Sequence, residues 1–234
     1  MELGARKIFG IGNFYITETV IFAWIISIIM IIFALLATRK MKKIPKGIQA
    51  YAELIVEFVY NLVGQTMGKE NIKFAPYIGT LFIFLILGNM LGLLDLRPVS
   101  ADINTAFALG LVTFFLIHYN SIKLRSFKGY IKHMSEPYIF MLPINIIGEL
   151  SFPISLSFRL FGNITGGMII MTLLYNGLES LSEKIIPNIP FLTAAIPLPA
   201  NFFFDIFEGI LQAFIFTMLT MVFIANGITT HEKH

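Results

Sequence analysis

Long apolar stretches separated by short polar loops dominate this chain. Residues 20–37 form the first stretch, with one serine and no charge, and residues 77–94 form the second. A third apolar stretch covers residues 103–121. A helix that crosses the hydrocarbon layer needs about 20 mostly apolar residues, so each of the three predicts a membrane span.

Two further apolar stretches are too long for upright spans. Residues 138–175 would reach roughly 57 Å as one α-helix, against a hydrocarbon layer of ~30 Å. This segment is therefore expected to tilt strongly or to break near Pro143 or Pro153. Residues 200–228 form the second such stretch, and a proline-rich connection at 188–199 joins the two into a predicted long tilted hairpin.

Residues 45–67 differ from the spans because they are amphipathic. Glu53 and Glu57 lie one helical turn apart among apolar and aromatic side chains. A helix with one charged and one apolar face is typical of the membrane surface. The chain is therefore predicted to be an all-α integral membrane protein, a single membrane domain (1–234) with five transmembrane segments and one membrane-surface helix.

Composition supports this class. The chain is 56% hydrophobic and only 13% charged, about half the ~25% charged residues of soluble domains, which excludes a soluble globular enzyme. It contains no cysteine, so disulfides and thiolate metal sites are excluded. No glycine-rich phosphate loop, nucleophile triad or metal-ligand spacing occurs, and we expect neither a cofactor, nor a resident metal, nor a nucleic-acid partner.

The positive charges predict an orientation. The loops around 39–46, 69–73 and 123–132 hold most of the 17 Lys and Arg residues. Short loops rich in Lys and Arg stay on the cytoplasmic side of a membrane. With five spans, this places the N-terminus outside and the C-terminus in the cytoplasm.

Arg159 is the most unusual residue, because it lies deep in the 138–175 segment. A central arginine costs ~2.5–3.5 kcal/mol on insertion scales, and its guanidinium stays protonated in proteins. It needs water or a carboxylate, either a structural acid on a neighbouring helix or a functional partner. Ser155, Arg159 and Asn163 belong to a series of polar or small residues, four apart, that runs from Ser151 to Gly167.

The last segment carries a second polar stripe. Its members, spaced four, three and four residues apart on one helix face, are Asn201, Asp205, Glu208 and Gln212. Beyond Gln212 the same face is apolar, and Gln212 lies roughly 16 Å along the helix from Asn201, about half the hydrocarbon thickness. The stripe predicts an aqueous path that enters from outside and ends inside the membrane. Alternatively, Asp205 and Glu208 are a solvated helix start.

Other polar residues allow more than one interpretation. Glu149 either lines an access path from the inner side or pairs at an interface. Asp102 and Asn104 precede the third span, and we expect Asn104 to cap that helix. Asn89 predicts a hydrogen bond between helices, and His118 is expected at the membrane interface rather than in a proton relay.

Three motifs in order resemble subunit a of rotary F-type ATP synthases. They are SLSFRLFGN at 155–163, SADINT at 100–105 and QAFIF at 212–216. The resemblance implies a non-catalytic stator subunit of a bacterial plasma membrane that clasps a rotating ring of c subunits and assembles with the subunit b stalk. Two half-channels would carry H⁺ or Na⁺ to and from the ring's carboxylates.

The resemblance also implies residue roles. Arg159 matches the family's essential arginine, and Asn163 and Gln212 match positions near its ion path. We include the polar residues Ser155, Asp205, Glu208, Glu149 and Asp102 among the ion-path candidates. One departure is Met168, because many relatives carry an acid or histidine nine residues after the arginine.

Two other functions remain open from the residues alone. One is a secondary transporter with a midplane site. Paired repeats and broken helices are typical of such transporters, and this chain does not show them in corresponding halves. A structural membrane anchor would tolerate substitution of Arg159, Glu208 and Gln212. The sequence leaves the choice between H⁺ and Na⁺ open.

Overall fold

A computed structural model describes residues 7–11, 14–94, 96–135, 138–185, 192–193 and 196–229. Its long helices are α1 (Glu18–Thr38), α2 (Ile48–Met67), α3 (Ala75–Asn89), α4 (Ile103–Met134) and α5 (Met141–Ile185). The last segment consists of α6 (Leu198–Asn201), a π-helix (Phe202–Glu208) and α7 (Gly209–Thr229), which follow one another without interruption. Short 3₁₀ turns cover Lys69–Phe74, Met90–Leu94 and Val99–Ala101. Half of the predicted connection at 188–199, namely residues 188–191 and 194–195, lies outside the described residues.

Five helical segments in the described ranges are long and apolar enough to cross a membrane. They are Glu18–Thr38, Lys69–Leu94, Ile103–Lys132, Met141–Lys184 and Leu198–Ile228. Their number and composition confirm the predicted all-α membrane class. The first span exposes large apolar side chains such as Trp24, Ile28 and Leu35, which suits contact with lipid because lipid does not penalise exposed apolar surface.

A short antiparallel hairpin precedes the first span and was not predicted. Strand β1 (Lys7–Ile11) pairs with β2 (Phe14–Thr17), which leads directly into α1. An isolated two-stranded hairpin is marginal in water, so its packing beside α1 matters to its stability. The sequence signal that could have revealed it is the Gly12-Asn13 pair between the two strand sequences.

Helix α2 covers most of the segment for which a surface helix was predicted. Val59, Val63 and Met67 are buried in a cluster with residues of α3 and α7, whereas Glu53 and Glu57 are exposed. One face of α2 is thus fixed to the helical bundle. Its position on the membrane surface stays a prediction.

The long helix α5 continues through Pro153, so the predicted alternative of a break in the helix is wrong. Ser157 Oγ lies 2.6 Å from the carbonyl oxygen of Pro153 and 3.1 Å from that of Ala106 on α4, within donating distance of both. This contact fixes α5 to α4 near the proline, where one helical hydrogen bond is missing. Pro143 lies in the first turn, where no helical donor is lost.

The apolar core consists of two clusters. The first joins α2, the start of α3 and the end of α7, and includes Val63, Ile78 and Met221. The second joins α3, α4, α5 and α7, and its buried members are Leu81, Leu85, Ala106, Leu156, Leu160, Ala213 and Phe216. We call this second group the central apolar cluster. It includes Leu160, the residue that follows Arg159 along α5.

Candidate functional site

Arg159 lies on an exposed face of α5. It forms no hydrogen bond or ion pair with any residue in the described part of the chain. Leu156 and Leu160, on either side of it in sequence, are buried in the central apolar cluster. The arginine therefore points away from its own bundle, and a permanent charge within a span needs water or a partner outside the described chain.

The polar series on α5 does not form one straight face. Ser155, Arg159 and Asn163 are exposed, whereas Gly167 is buried. Each residue rotates ~100° around an α-helix, so a spacing of four advances the stripe by ~40° per step. The series consequently winds from the exposed face, at Ser155 and Arg159, towards α7, at Asn163 and Gly167.

Asn163 and Gln212 connect the two polar stripes. Asn163 Nδ2 donates a hydrogen bond of 2.8 Å to Oε1 of Gln212, across helices α5 and α7. Gln212 is fully buried, and its Nε2 has no hydrogen-bond partner among the described residues. A buried amide donor of this kind remains available to a water molecule.

The stripe on the last segment is distorted by the π-helix Phe202–Glu208, which contains Asp205 and ends at Glu208. A π-helical turn is wider than an α-helical one, and such turns occur frequently at functional sites. The spacing had predicted that the four stripe residues share one helix face, and this prediction is wrong. They meet two different neighbours, α5 and the turn Met90–Leu94.

Helix α5 and the last segment are antiparallel, so residues later in the last segment contact residues earlier in α5. Asn201 Nδ2 donates a 2.7 Å hydrogen bond to Tyr175 Oη. Farther along, the carboxylate of Glu208 lies against Gly167, where an added Cβ would be only 3.1 Å from Oε2. Within the described ranges Glu208 has no hydrogen bond or ion pair, and it is half-buried.

Asp205 turns towards a different element. Its Oδ1 would lie 2.9 Å from a Cβ built on Gly92, in the turn Met90–Leu94. The absence of a side chain at Gly92 therefore makes room for the carboxylate. Next to it, Asn89 Nδ2 donates 3.0 Å to the carbonyl of Gly209, and Ser100 Oγ donates to Asn89 Oδ1, so the predicted bond between helices is confirmed.

Next to the Asn163–Gln212 pair, the contacts between α5 and α7 become apolar. One turn farther along α7, Phe216 is fully buried in the central apolar cluster with Leu160 and Leu156. Protein interiors are close-packed with few voids larger than a water molecule, so an apolar cluster of this kind disfavours water and ions. The arrangement is therefore a polar region closed at one end.

A second group of polar side chains lies where α4, from its middle onwards, packs against the beginning of α5. His118 Nε2 is 2.7 Å from Glu149 Oε2, and Tyr130 Oη donates 2.7 Å to the same oxygen. His118 Nδ1 lies 2.8 Å from the carbonyl of Phe114. This carbonyl only accepts, so Nδ1 carries a proton, and a single shared proton then lies on either His118 Nε2 or Glu149 Oε2. The pair can store and pass a proton.

Asp102 makes structural contacts at the start of α4. Its Oδ1 accepts the backbone N–H of Asn104 at 2.9 Å, and its Oδ2 accepts the hydroxyl of Thr19 at 2.7 Å and that of Thr17 at 3.3 Å. Asp102, not Asn104, is therefore the helix cap, which corrects the prediction. The carboxylate also joins the start of α1 to α4.

Comparison with known proteins decides the family. The model of the ATP synthase A chain family matches residues 20–225, nearly the whole chain. The chain belongs to this family. The ATP synthase A chain family consists of non-catalytic membrane subunits of the F-type ATP synthase complex, and the five apolar helices identify this member as a multi-pass membrane protein.

Individual members of the ATP synthase A chain family are similar in sequence to this chain over most of their length. The chain is 36% identical to ATP synthase subunit a of Moorella thermoacetica, over 96% of this chain and 97% of the relative. It is 34% identical to ATP synthase subunit a, sodium ion specific, of Propionigenium modestum, over 95% of this chain and 78% of that protein. It is 31% identical to the chloroplastic subunit a of Stigeoclonium helveticum, over 92% and 86% respectively.

Some contacts in this ATP synthase A chain were not predicted. His118 and Tyr130 pair with Glu149, and Tyr175 pairs with Asn201, although the sequence assigned none of these partners. No local spacing signals a pair 31 residues apart in sequence. Within the described ranges, no three His, Asp or Glu side chains are grouped to hold a metal ion.

Proposed function

We propose that this chain is the stator subunit that carries H⁺ or Na⁺ to and from the carboxylates of a rotating c-subunit ring. Two half-channels, each open to one side of the membrane, supply and remove the ion, and Arg159 separates them. The chain makes no covalent bond, and the complex's ATP chemistry lies elsewhere. We also propose that the chain assembles with the c ring and the subunit b stalk. The complex would lie in a bacterial plasma membrane, with the N-terminus of this chain outside.

The exposed and unpaired Arg159 is the observation that carries this proposal. A permanent cation within a span is costly unless a carboxylate or water compensates it. In the described chain no acid pairs with it. A carboxylate presented by a neighbouring protein satisfies this requirement, and a rotating ring presents one carboxylate after another.

The outer half-channel is proposed to follow the last segment. Asn201, Asp205 and Glu208 lead towards the Gln212–Asn163 pair, and the central apolar cluster closes the far side. Glu208 lies against Gly167, next to Met168, where many relatives carry an acid or histidine. We infer that Glu208 supplies, from α7, the carboxylate that α5 lacks at Met168.

The inner half-channel is proposed to begin at Glu149. The contacts of Glu149 with His118 and Tyr130 support a proton-storing group there. This proposal departs from the sequence-based expectation that His118 takes no part in a proton relay. Ser151 and Ser155, which are exposed and four residues apart on α5, lie between Glu149 and Arg159 and would supply polar side chains along the route of an ion released near Arg159. The apolar layer between Gln212 and this region keeps the two half-channels apart.

The physical mechanism follows from the cost of charge in lipid. A rotor carboxylate that leaves the outer half-channel enters lipid only when a bound H⁺ or Na⁺ neutralises it. Close to Arg159 the charged carboxylate is stabilised, so the ion is released there. Arg159 also repels cations, which blocks leakage between the half-channels. Each ion that crosses contributes ~2.3 kcal/mol per 100 mV of potential, and this work drives rotation only if leakage is prevented.

Substitution of Arg159 tests this proposal. In the assembled complex in sealed vesicles, Arg159→Ala should reduce ATP synthesis driven by an imposed ion gradient to the level seen without a gradient, while assembly persists. Lys184→Ala removes a charge at the end of the same helix and should leave synthesis intact. Coupled synthesis at the normal rate by Arg159→Ala would refute the role.

A further inference from the structure

An open cavity lies where α1 ends and α2 begins. Its volume is about 430 Å³, within the range of ~300–1,000 Å³ typical of small-ligand sites. Its lining combines two chemical types. Four side chains are cationic and two are large and apolar: Arg39, Lys40, Lys42 and Lys46, with Leu36 and Ile48.

The backbone around the cavity, which we call its frame, is held in place because Gln49 on α2 is hydrogen-bonded to the loop between α1 and α2. Gln49 Oε1 accepts the backbone N–H of Lys42 at 3.0 Å, and its Nε2 lies 2.9 Å from the carbonyl of Lys42 and 2.7 Å from Glu53 Oε1. Gln49 itself is buried. Gly47, directly before α2, has a positive φ of 62°, which a side chain would disfavour, and Lys46 and Ile48 on either side of it both line the cavity.

The charges in the cavity are not neutralised by the loop itself. Residues 36–49, all of which the structure describes, contain no acid. The carboxylate of Glu53 accepts a hydrogen bond from Gln49 and does not line the cavity, and none of its described lining residues is an acid. A site with four cations and no anion favours a ligand that carries negative charge.

The apolar side of the cavity indicates where that ligand comes from. The cavity opens at the end of a membrane span, and α1 exposes Ile32, Leu35 and Leu36 just before it. A phosphate held by the cations would therefore have acyl chains lying along this face. Free phosphate would leave the apolar wall unused. Basic pockets between helices at the cytoplasmic side are suited to anionic head groups, and the basic loops predict this side.

We infer that this cavity binds the phosphate head group of an anionic phospholipid, whose acyl chains cover the end of α1. The bound lipid neutralises the loop 39–46 and bridges α1 to α2. This inference does not depend on the ion path, because no cavity residue belongs to it. It assigns to the first loop a lipid-dependent role in holding α1 and α2 together.

Native mass spectrometry of the full-length chain with matched variants tests the inference. The protein is supplied with either phosphatidylglycerol or phosphatidylcholine, and the lipid that stays bound is quantified. The test variant is Arg39→Gln/Lys42→Gln/Lys46→Gln. The control variant, Lys123→Gln/Lys128→Gln/Lys132→Gln, removes the same number of exposed charges on the same predicted side of the membrane, outside the cavity.

We expect the wild type and the control to retain phosphatidylglycerol in preference to phosphatidylcholine. The cavity variant should lose phosphatidylglycerol by at least about 10-fold, since each basic side chain near a membrane strengthens anionic-lipid binding several-fold. If the triple variant does not fold, Lys46→Gln alone should still lower binding about 5-fold on the same basis.

Three results would overturn the inference. Equal loss in cavity and control variants would mean a general surface attraction. Equal retention of phosphatidylcholine would mean that the head-group charge is not recognised. Displacement of the lipid by excess inorganic phosphate, to the same extent at low and high lipid concentration, would identify a free-phosphate site instead.

Discussion

Asn163 on α5 donates a 2.8 Å hydrogen bond to Gln212 on α7, and this pair is the last polar contact between the two helices before the central apolar cluster. The pair lies one helical turn beyond Arg159 along α5. Its position explains how polar access can approach the arginine without continuing across the membrane. The end of the proposed outer half-channel is thus set by two amides and the apolar side chains behind them.

Gln212→Leu should shorten the outer half-channel. The substitution keeps the approximate size of the side chain but removes both the acceptor for the exposed Asn163 amide and the buried Nε2 donor. We expect gradient-driven ATP synthesis to fall severalfold, measured in vesicles containing the assembled complex. Thr217→Val is the matched control, because that buried hydroxyl donates only to the Ala213 carbonyl of its own helix. Equal effects of both variants would contradict the assignment.

Glu208→Gln should reduce synthesis by removing the carboxylate beside Gly167. Met168→Glu in the Glu208→Gln background should restore part of the activity, because residue 168 follows Gly167 directly on α5. The measurement is the initial rate of ATP synthesis at a fixed gradient for the two single variants and the double variant. If Met168→Glu restores no activity in the Glu208→Gln background, the inference that Glu208 supplies the carboxylate missing at Met168 would be wrong.

His118 and Glu149 should act as one unit. His118→Gln and Glu149→Gln each remove the proton-storing pair, so the double variant should be no slower than the slower single variant. Rates of ATP synthesis and of gradient-driven rotation both serve as measurements. Tyr119→Phe, an exposed neighbour on α4, is the control and should retain the wild-type rate. Additive losses would mean that the two residues work independently.

Asp102 allows its structural and ion-path roles to be separated. Asp102→Ala removes a helix cap and the carboxylate that accepts the hydroxyls of Thr17 and Thr19, which should lower stability by ~1–3 kcal/mol. Asp102→Asn keeps a capping oxygen and should preserve thermal stability, measured on the detergent-solubilised protein. If Asp102→Asn is stable but loses ATP synthesis, the charge itself matters for the ion path. Normal synthesis would leave Asp102 with the structural role alone.

Much of the fold could be read from the sequence because the relevant signals are local. Lengths of apolar segments gave the five spans, and amphipathic spacing marked the segment that becomes α2. Pro153 shows the limit of such local rules: its missing donor suggested a break, but packing and the Ser157 contact with α4 accompany a continuous helix. The hairpin β1–β2 could not be predicted from long apolar stretches, because its strands have only five and four residues.

The sequence by itself determined the membrane class, the position of Arg159 deep within a span and the two polar stripes, because each depends on neighbours within a few turns. Tertiary structure decided where those residues point. The π-helix turns Asp205 towards Gly92, while Glu208 meets Gly167, and packing of α4 against α5 brings His118 to Glu149. These relationships depend on helix rotation and on contacts between distant segments, which local spacing does not encode.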